Sequence, residues 1–110
     1  MKNFFLGLFI PCLTVIIFCT QVQAVDINHG ENVFTANCSA CHSGGENVII
    51  YEKNLRKDAL SKNEMDNVKS ITYQVTNGKN AMPAFGGRLS DNDIEDVASF
   101  VLSQSEKGWE

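Results

Sequence analysis

Residues 38–42 read Cys38-Ser39-Ala40-Cys41-His42, and this short stretch decides how the rest of the chain is interpreted. The pattern C-x-x-C-H is the attachment sequence of a c-type haem. The two thiols can form thioether bonds to the vinyl groups of a porphyrin, and the imidazole that follows can coordinate the iron. Cys38 and Cys41 are therefore the predicted covalent anchors of one haem c, and His42 is its predicted first axial ligand.

Three other interpretations of the cysteine pair have less support. A thioredoxin-like dithiol belongs to a βαβ unit, and no strand pattern precedes Cys38. A structural zinc site needs four ligands, and beyond the first 24 residues the chain offers only the two cysteines, His42 and His29, with no second pair at ligand spacing. A disulfide between Cys38 and Cys41 would close too small a loop to stabilise the fold much.

The start of the chain has the composition of an export signal. Lys2 provides a positive charge, residues 4–18 are almost wholly apolar, and Val22-Gln23-Ala24 offers a site for signal peptidase. We predict a signal peptide over residues 1–24, cleaved at its end, and a cytochrome c domain over residues 25–110. An uncleaved membrane anchor is the alternative, but the apolar run is about 15 residues long, against the ~20 needed to span a bilayer.

The part that remains after cleavage is small and acidic. Its 86 residues keep eight of the nine basic residues and all 13 acidic ones, a formal net charge of −5. A domain with this net negative charge would not neutralise phosphates, so we expect no nucleic-acid partner. A single domain of this size has a marginal core of its own. We therefore expect the apolar faces of the haem to form part of the core.

The apolar pattern predicts helices and no strands. Apolar residues recur at helical spacing in four segments, and no segment alternates as a strand would. We expect helices over Ile27 to Cys41, within Asn54 to Met65, over Val68 to Thr76, and from an N-cap at Ser90, where Asp93 would complete a capping box. The predicted fold class is all-α.

Three side chains can supply the second axial ligand, namely Met82, Met65 and His29. Met82 lies 40 residues after His42 and precedes a proline, so its loop cannot continue a helix and can present a thioether to the iron. Met65 fits better as a partly exposed residue of a polar helix, and His29 lies too far along the first helix. We favour Met82, with a purely space-filling methionine as the alternative.

A haem with two axial ligands can change oxidation state but offers no free position to a substrate. Ligation by His and Met also raises the reduction potential relative to two nitrogen ligands. The ligand set therefore predicts a high-potential one-electron carrier and not an enzyme. A haem enzyme, the alternative, would need an open or labile sixth position.

Several further motifs resemble the cytochrome c6 family of class I c-type cytochromes, over the whole of residues 25–110. They are Ile71-Thr72-Tyr73-Gln74-Val75-Thr76-Asn77-Gly78-Lys79, Ala81-Met82-Pro83-Ala84-Phe85, Arg88-Leu89-Ser90 and Trp109. The resemblance implies the class I cytochrome c fold, in which four to five short helices surround one covalently bound haem. It also implies a contact between the first and last helices through Gly30, Phe34 and Phe100.

The resemblance implies partners and a location as well. Members of this family carry single electrons from cytochrome f of the cytochrome b6-f complex to photosystem I in the thylakoid lumen. By the resemblance, Cys38 and Cys41 bind the haem, His42 and Met82 are its axial ligands, and Gln74 lies beside it. Arg88 would help to dock the acceptor, although an ordinary surface arginine is the alternative.

After signal cleavage we expect a soluble monomer. The many Asn, Lys and Ile residues favour the plastid of an alga over a cyanobacterium. An electron carrier of a respiratory chain would have the same iron ligands, and only the additional motifs argue against it.

Overall fold

The computed structural model describes Gly7, residues 11–17 and residues 24–110. Across these ranges the chain is helical and contains two isolated bridge pairs but no strand, which confirms the all-α prediction. Two short 3-10 turns, at Ser43–Gly45 and Tyr51–Lys53, accompany five helices: α1 (Ile27–Asn37), α2 (Ser39–His42), α3 (Lys57–Lys62), α4 (Val68–Asn77) and α5 (Asp91–Glu106). The predicted leader lies for the most part outside the described residues, and its cleavage stays a prediction.

The first helix is shorter than its apolar pattern indicated. Its start is capped by Asp26, whose side chain accepts a hydrogen bond from the backbone N–H of His29 at 3.0 Å. It ends at Asn37, whose side-chain amide donates to the Val33 carbonyl at 2.9 Å, and Cys38 is its C-cap. The expectation of one helix through Cys41 was wrong, since α2 begins separately after Cys38.

Helices α1 and α5 cross in close contact, and Gly30 is the point of closest approach. A Cβ atom at this position would lie 2.2 Å from the backbone oxygen of Asp96 and 2.9 Å from the Cβ of Phe100. The rings of Phe34 and Phe100 pack beside it with their centroids 5.3 Å apart. The predicted contact between the first and last helices is present, and it explains why a glycine occupies the middle of α1.

The last helix forms as the sequence indicated. The Ser90 side chain accepts from the Asp93 N–H, and the Asp93 carboxylate accepts from the Ser90 N–H, each at 3.1 Å. This is the capping box expected from the spacing. The buried stripe of α5 consists of Ile94, Val97, Ala98, Phe100 and Val101.

Two short helices complete the core beneath α5. Helix α3 buries Ala59 and Leu60, and α4 buries Ile71 and Val75. Helix α4 ends at Gly78, whose φ of 71° and crowded surroundings suit glycine alone: a Cβ there would lie 2.7 Å from two backbone atoms of the following loop. No helix within the described ranges is both long and apolar enough to cross a membrane.

Candidate haem site

A cavity of about 460 Å³ opens between the ends of α1 and α2, the loop that follows them, α3, α4 and the segment from Lys79 to Arg88. This volume falls in the range of about 300–1,000 Å³ that proteins use for small molecules and cofactors. The lining is mainly apolar. The cavity meets every site residue that the sequence nominated: Cys38, Cys41, His42, Gln74, Met82 and Arg88. Their roles in haem binding and docking stay predictions.

The two cysteines are held at the cavity wall by a tight backbone turn. Cys38 joins α1 to α2, and its carbonyl accepts from the N–H groups of Cys41 at 3.2 Å and His42 at 2.9 Å. Both thiols are free and half-buried. Burial raises the pKa of the Cys38 thiol to about 11. A redox dithiol needs the opposite, a lowered thiol pKa, so the geometry argues against a thioredoxin-like pair.

The histidine of the motif is oriented by the loop that follows it. Its Nδ1 lies 2.9 Å from the backbone carbonyl oxygen of Glu46. Because a carbonyl can only accept, Nδ1 carries the proton and donates it to this bond. The tautomer leaves the lone pair of Nε2 free to bind a metal ion, and a hydrogen bond of this kind also increases the basicity of the ligating nitrogen. His42 therefore has the form required of an axial ligand.

Met82 is presented by a small, closed loop. The backbone groups of Lys79 and Met82 exchange two hydrogen bonds, at 2.9 and 3.0 Å, which fix the turn between them. From α4, the side-chain amide of Gln74 donates to the Met82 sulfur at 3.4 Å. Both side chains are half-buried and line the cavity. The thioether is thus held in place by a neighbouring side chain as well as by its own loop.

Met65, another candidate for the second axial ligand, also lines the cavity, which the sequence did not indicate. Met65 lies in the segment between α3 and α4, because α3 ends at Lys62, so its assignment to a polar helix was wrong. Its N–H donates to the Leu60 carbonyl at 2.7 Å. No side-chain hydrogen bond within the described residues reaches the Met65 sulfur, whereas the Met82 sulfur accepts one from Gln74. This contrast favours Met82 without depending on its position in the chain.

His29, the third candidate, is directed elsewhere. Its Nε2 lies 2.7 Å from Oδ1 of Asp93 in α5, on the exposed side of the helix crossing, and it does not line the cavity. This hydrogen bond is the main reason why the pKa of His29 is raised and the pKa of Asp93 is lowered from their ordinary values. In the part of the chain that the structure describes, no group of three or more His, Cys, Asp or Glu side chains could hold a metal ion.

The charges around the cavity have one sign. Lys53, Lys79 and Arg88 line it, and no Asp or Glu among residues 24–110 does. The guanidinium of Arg88 also stacks over the ring of Phe85, at 4.9 Å from the centroid. In an acidic domain this clustering of cations fits a ligand with an apolar body and carboxylate substituents. A porphyrin with two propionates is such a ligand, so the lining and its charge fit haem.

Sequence reasoning did not identify the group that orients His42, since this acceptor is a backbone carbonyl and carries no residue-type signal. Two asparagines organise the segment that contains this carbonyl. Asn47 accepts from the N–H groups of Ile49 and Ile50 at 3.0 and 2.9 Å, and the buried Asn54 accepts from the Arg56 N–H at 2.9 Å. Asparagines that bond to the backbone two residues on are a known turn signal, and they could have predicted this ordered loop.

Comparisons with known proteins agree on the class of the protein. A family described as cytochrome C oxidase, cbb3-type, subunit III matches residues 25–101. A cytochrome c6 of Petalonia fascia is 80% identical over 85 residues, which cover 77% of this chain and 100% of that protein. A cytochrome c6 of Alaria esculenta is 72% identical over 86 residues, covering 78% and 100%.

Solved structures agree on the fold. The chain matches cytochrome c6 from the diatom Phaeodactylum tricornutum with a TM-score of 0.74 and 57% identity, over 76% of this chain and 99% of that one. It matches oxidized cytochrome c6A from Arabidopsis thaliana with a TM-score of 0.75 and 32% identity, over 80% and 98%. The fold is thus the class I cytochrome c fold that was predicted. The chain belongs to the cytochrome c6 family, electron carriers with one covalently bound haem c.

Proposed function

We propose that this protein carries single electrons from cytochrome f of the cytochrome b6-f complex to photosystem I, in the thylakoid lumen of an alga. In this proposal Cys38 and Cys41 hold the haem by thioether bonds, and His42 and Met82 are its axial ligands. The observation that carries the proposal is that an oriented imidazole and an oriented thioether line the same cavity.

The haem, when bound, supplies a one-electron change at its iron, and ligation by His and Met favours a high potential. The chain's own residues orient the two side chains that would bind the iron. The Glu46 carbonyl accepts the Nδ1–H of His42 and so fixes the orientation of the ring. The Gln74 amide donates to the Met82 sulfur and draws electron density from it. If His42 and Met82 both bound the haem iron, a small molecule would have no free position there, which favours a carrier over an enzyme.

Exchange of electrons with large partners requires a defined docking face, and Arg88 provides a fixed charge for one. Arg88 is exposed, borders the cavity and is held against Phe85. An acidic patch on a partner would gain both orientation and association rate from such a cation, and salt would weaken the gain. In the proposal, this face meets photosystem I.

Release of the domain into the lumen requires removal of the leader, which we infer ends at Ala24. The first structural contacts of the domain begin directly beyond that point, because the Asp26 N–H donates to Asp96 of α5 at 3.0 Å. Cleavage after Ala24 would therefore leave α1 and its cap intact. The intact mass of the native protein should equal that of residues 25–110 plus one haem; a mass that includes the first 24 residues would contradict the processing step.

The function is tested by the kinetics of photosystem I reduction. Purified, reduced holoprotein is mixed with photosystem I particles, and the re-reduction of the flash-oxidised reaction centre is followed at several protein concentrations and ionic strengths. We expect a second-order reaction that depends on salt.

The respiratory alternative rests on the family that names a cbb3-type oxidase subunit. The reduced protein is therefore also offered to a membrane preparation that contains such an oxidase. Slow, concentration-independent reduction of photosystem I together with rapid oxidation by the oxidase would overturn the proposal in favour of a respiratory carrier.

A further inference from the structure

Trp109 connects the end of the chain to the haem-side loop. Its ring packs against Phe34 and Phe100 of the helix crossing, with centroid distances of 5.3 and 6.1 Å. Its indole N–H leaves this aromatic cluster and donates to the backbone carbonyl of Leu55 at 2.9 Å. The same ring covers Gly45, where an added Cβ would lie 2.6 Å from the indole atoms. One side chain thus contacts two points that are ten residues apart in sequence.

Those two points are the ends of a closed loop, residues 45–55. The Leu55 N–H donates to the Gly45 carbonyl at 2.7 Å, so Trp109 lies against the place where the loop closes. Gly45 has a φ of 80°, which lets the backbone turn beneath the indole. The loop is therefore fixed to the α1–α5 crossing through Trp109.

The residue directly after this closure orients the histidine. Glu46 supplies the carbonyl that accepts the Nδ1–H of His42 at 2.9 Å. Its side chain also pairs with Arg56, the residue directly after the other end of the loop. The carbonyl that closes the loop and the carbonyl that accepts from His42 thus belong to neighbouring residues, Gly45 and Glu46.

We propose that Trp109 is a positioning residue for His42: by holding the closure of the 45–55 loop, it keeps the Glu46 carbonyl in place as the acceptor of the Nδ1–H bond. The inference rests on the proposed role of His42 as an iron ligand. It means that Trp109, which does not line the cavity, influences how strongly the His42 imidazole donates electrons.

The effect on the site follows from the chemistry of the hydrogen bond. Donation from Nδ1 makes Nε2 a stronger electron donor, which stabilises the oxidised metal. When the closure loosens, the Nδ1–H bond weakens, and the reduction potential rises. A residue that merely stabilised the fold would leave both the bond and the potential unchanged in the folded protein.

The test compares Trp109→Phe with Phe100→Leu in the haem-loaded protein. The first variant keeps a ring in the aromatic cluster but removes the N–H, whereas the second reduces the cluster and keeps the bond to Leu55. Exchange of the His42 Nδ1 proton with water is measured by NMR on the reduced protein. In Trp109→Phe we expect this proton to exchange at least about fivefold faster than in the parent, because loss of one hydrogen bond makes local opening easier by about that factor. We also expect a higher reduction potential.

In Phe100→Leu we expect a lower unfolding temperature but exchange and potential close to those of the parent. Equal exchange in Trp109→Phe and the parent would overturn the inference. So would equal acceleration in both variants, because the cause would then be general stability. The upfield shifts of the other His42 ring protons, in the same spectra, report separately whether His42 is the iron ligand.

A measurement on the unaltered protein covers the case in which Trp109→Phe does not fold. Exchange is recorded for the Trp109 indole N–H, the Leu55 N–H and the His42 Nδ1–H. If the closure opens as a unit, all three protons should share one opening equilibrium. Opening of the His42 proton at a rate unrelated to the other two would contradict the proposal.

Discussion

The α1–α5 crossing and the cavity side of this protein are ordered by different means. At the crossing, Phe100 is only 5% exposed, and two helices of 11 and 16 residues meet through Gly30. On the cavity side, residues 37–65 contain helices of only four and six residues. Helices this short have little stability of their own.

The cavity side depends instead on side chains that bond to the backbone. Asn47, Asn54 and Asn63 all make such bonds within it. We infer from this difference that the chain alone orders the crossing and that the cavity side depends on the haem. The crossing buries apolar surface against apolar surface, whereas the cavity side surrounds a space that haem would fill. We therefore expect changes at the crossing to alter stability, and changes at the cavity to alter haem binding and redox properties.

The most severe test of this comparison removes the covalent attachment. The double substitution of Cys38 and Cys41 by Ser should abolish thioether formation and leave residues 43–65 without a packing partner. We expect loss of a cooperative thermal transition and rapid proteolysis within that segment, followed by mass spectrometry of the fragments. Ser39→Ala, in the spacer of the same motif, should retain the haem. A haem-free protein that unfolds cooperatively near the parent's temperature would contradict the comparison.

The next largest effect is expected at the sixth ligand. Met82→Ala should open the iron, so that the reduced protein binds carbon monoxide. It should also lower the potential by on the order of 100 mV or more, because axial ligands together set haem potentials over about 0.8 V. Met65→Ala is the matched control, since that methionine also lines the cavity. Carbon monoxide binding by the Met65 variant alone would reverse the assignment.

At the crossing, Gly30→Ala should alter stability without altering the site. The new Cβ would meet the Asp96 backbone, so overpacking should cost ~3 kcal/mol. Better helix propensity offsets about 1 kcal/mol of that cost. We expect a net loss of ~2 kcal/mol in denaturant unfolding, with an unchanged potential. Asn28→Ala, on the exposed face of α1, should change stability by less than about 0.5 kcal/mol. If Gly30→Ala had the same free energy of unfolding as the parent, the helix crossing would accommodate the added methyl group without cost, contrary to this expectation.

A smaller effect, mainly on association, is expected at Arg88. Arg88→Glu should slow second-order reduction of photosystem I about fivefold at low salt, while the visible spectrum, which reports the iron ligands, remains that of the parent. Lys107→Glu makes the same change of charge at the end of α5, away from the cavity. Equal rates for the Arg88 variant and the parent at low salt would remove Arg88 from the docking face.

The smallest effect is a pH dependence at the crossing. The raised pKa of His29 means that its contribution to stability is complete below its ordinary value of 6.5 and is lost as pH rises through the higher folded value. The lowered pKa of Asp93 means that the partner's contribution is complete above its ordinary 3.8 and is lost as pH falls through the lower folded value. The pair therefore stabilises most between these limits.

Thermal midpoints recorded from pH 4 to pH 9 test this window. Replacing His29 by Gln should flatten the decline of the midpoint above about pH 6.5. The two side chains are 45% and 29% exposed, and Asp26 and Asp96 add to the negative charge near His29, so the change should be slight and should shrink with salt. An identical pH profile for the two proteins would show that the ion pair contributes nothing.

The sequence predicted the crossing well and the cavity side less well. Periodicity and capping rules identified α5, Ser90 and Asp93 because these features depend on neighbours in sequence. The break at Cys38 and the position of Met65 were missed. They depend on where one helix stops and where a short one begins, and an apolar period encodes neither.

The candidate site divides in the same way. Cys38, Cys41 and His42 are recognisable because attachment chemistry requires that spacing, and the structure brings them to one cavity with Met82. The acceptor for His42 could not be predicted from residue types, since any residue supplies a carbonyl. The sequence alone did not indicate that Lys53 and Lys79 lie beside the cavity, because their positions there depend on the fold.

The central claim is that His42 and Met82 close the two axial positions of one haem. Its most direct test is the absorbance spectrum of the oxidised, unaltered protein in the far red, where an iron–methionine sulfur bond gives a charge-transfer band. We predict that the band is present in the parent protein and in Met65→Ala, and absent in Met82→Ala. Absence of the band in the parent, or its loss in Met65→Ala with retention in Met82→Ala, would contradict the account.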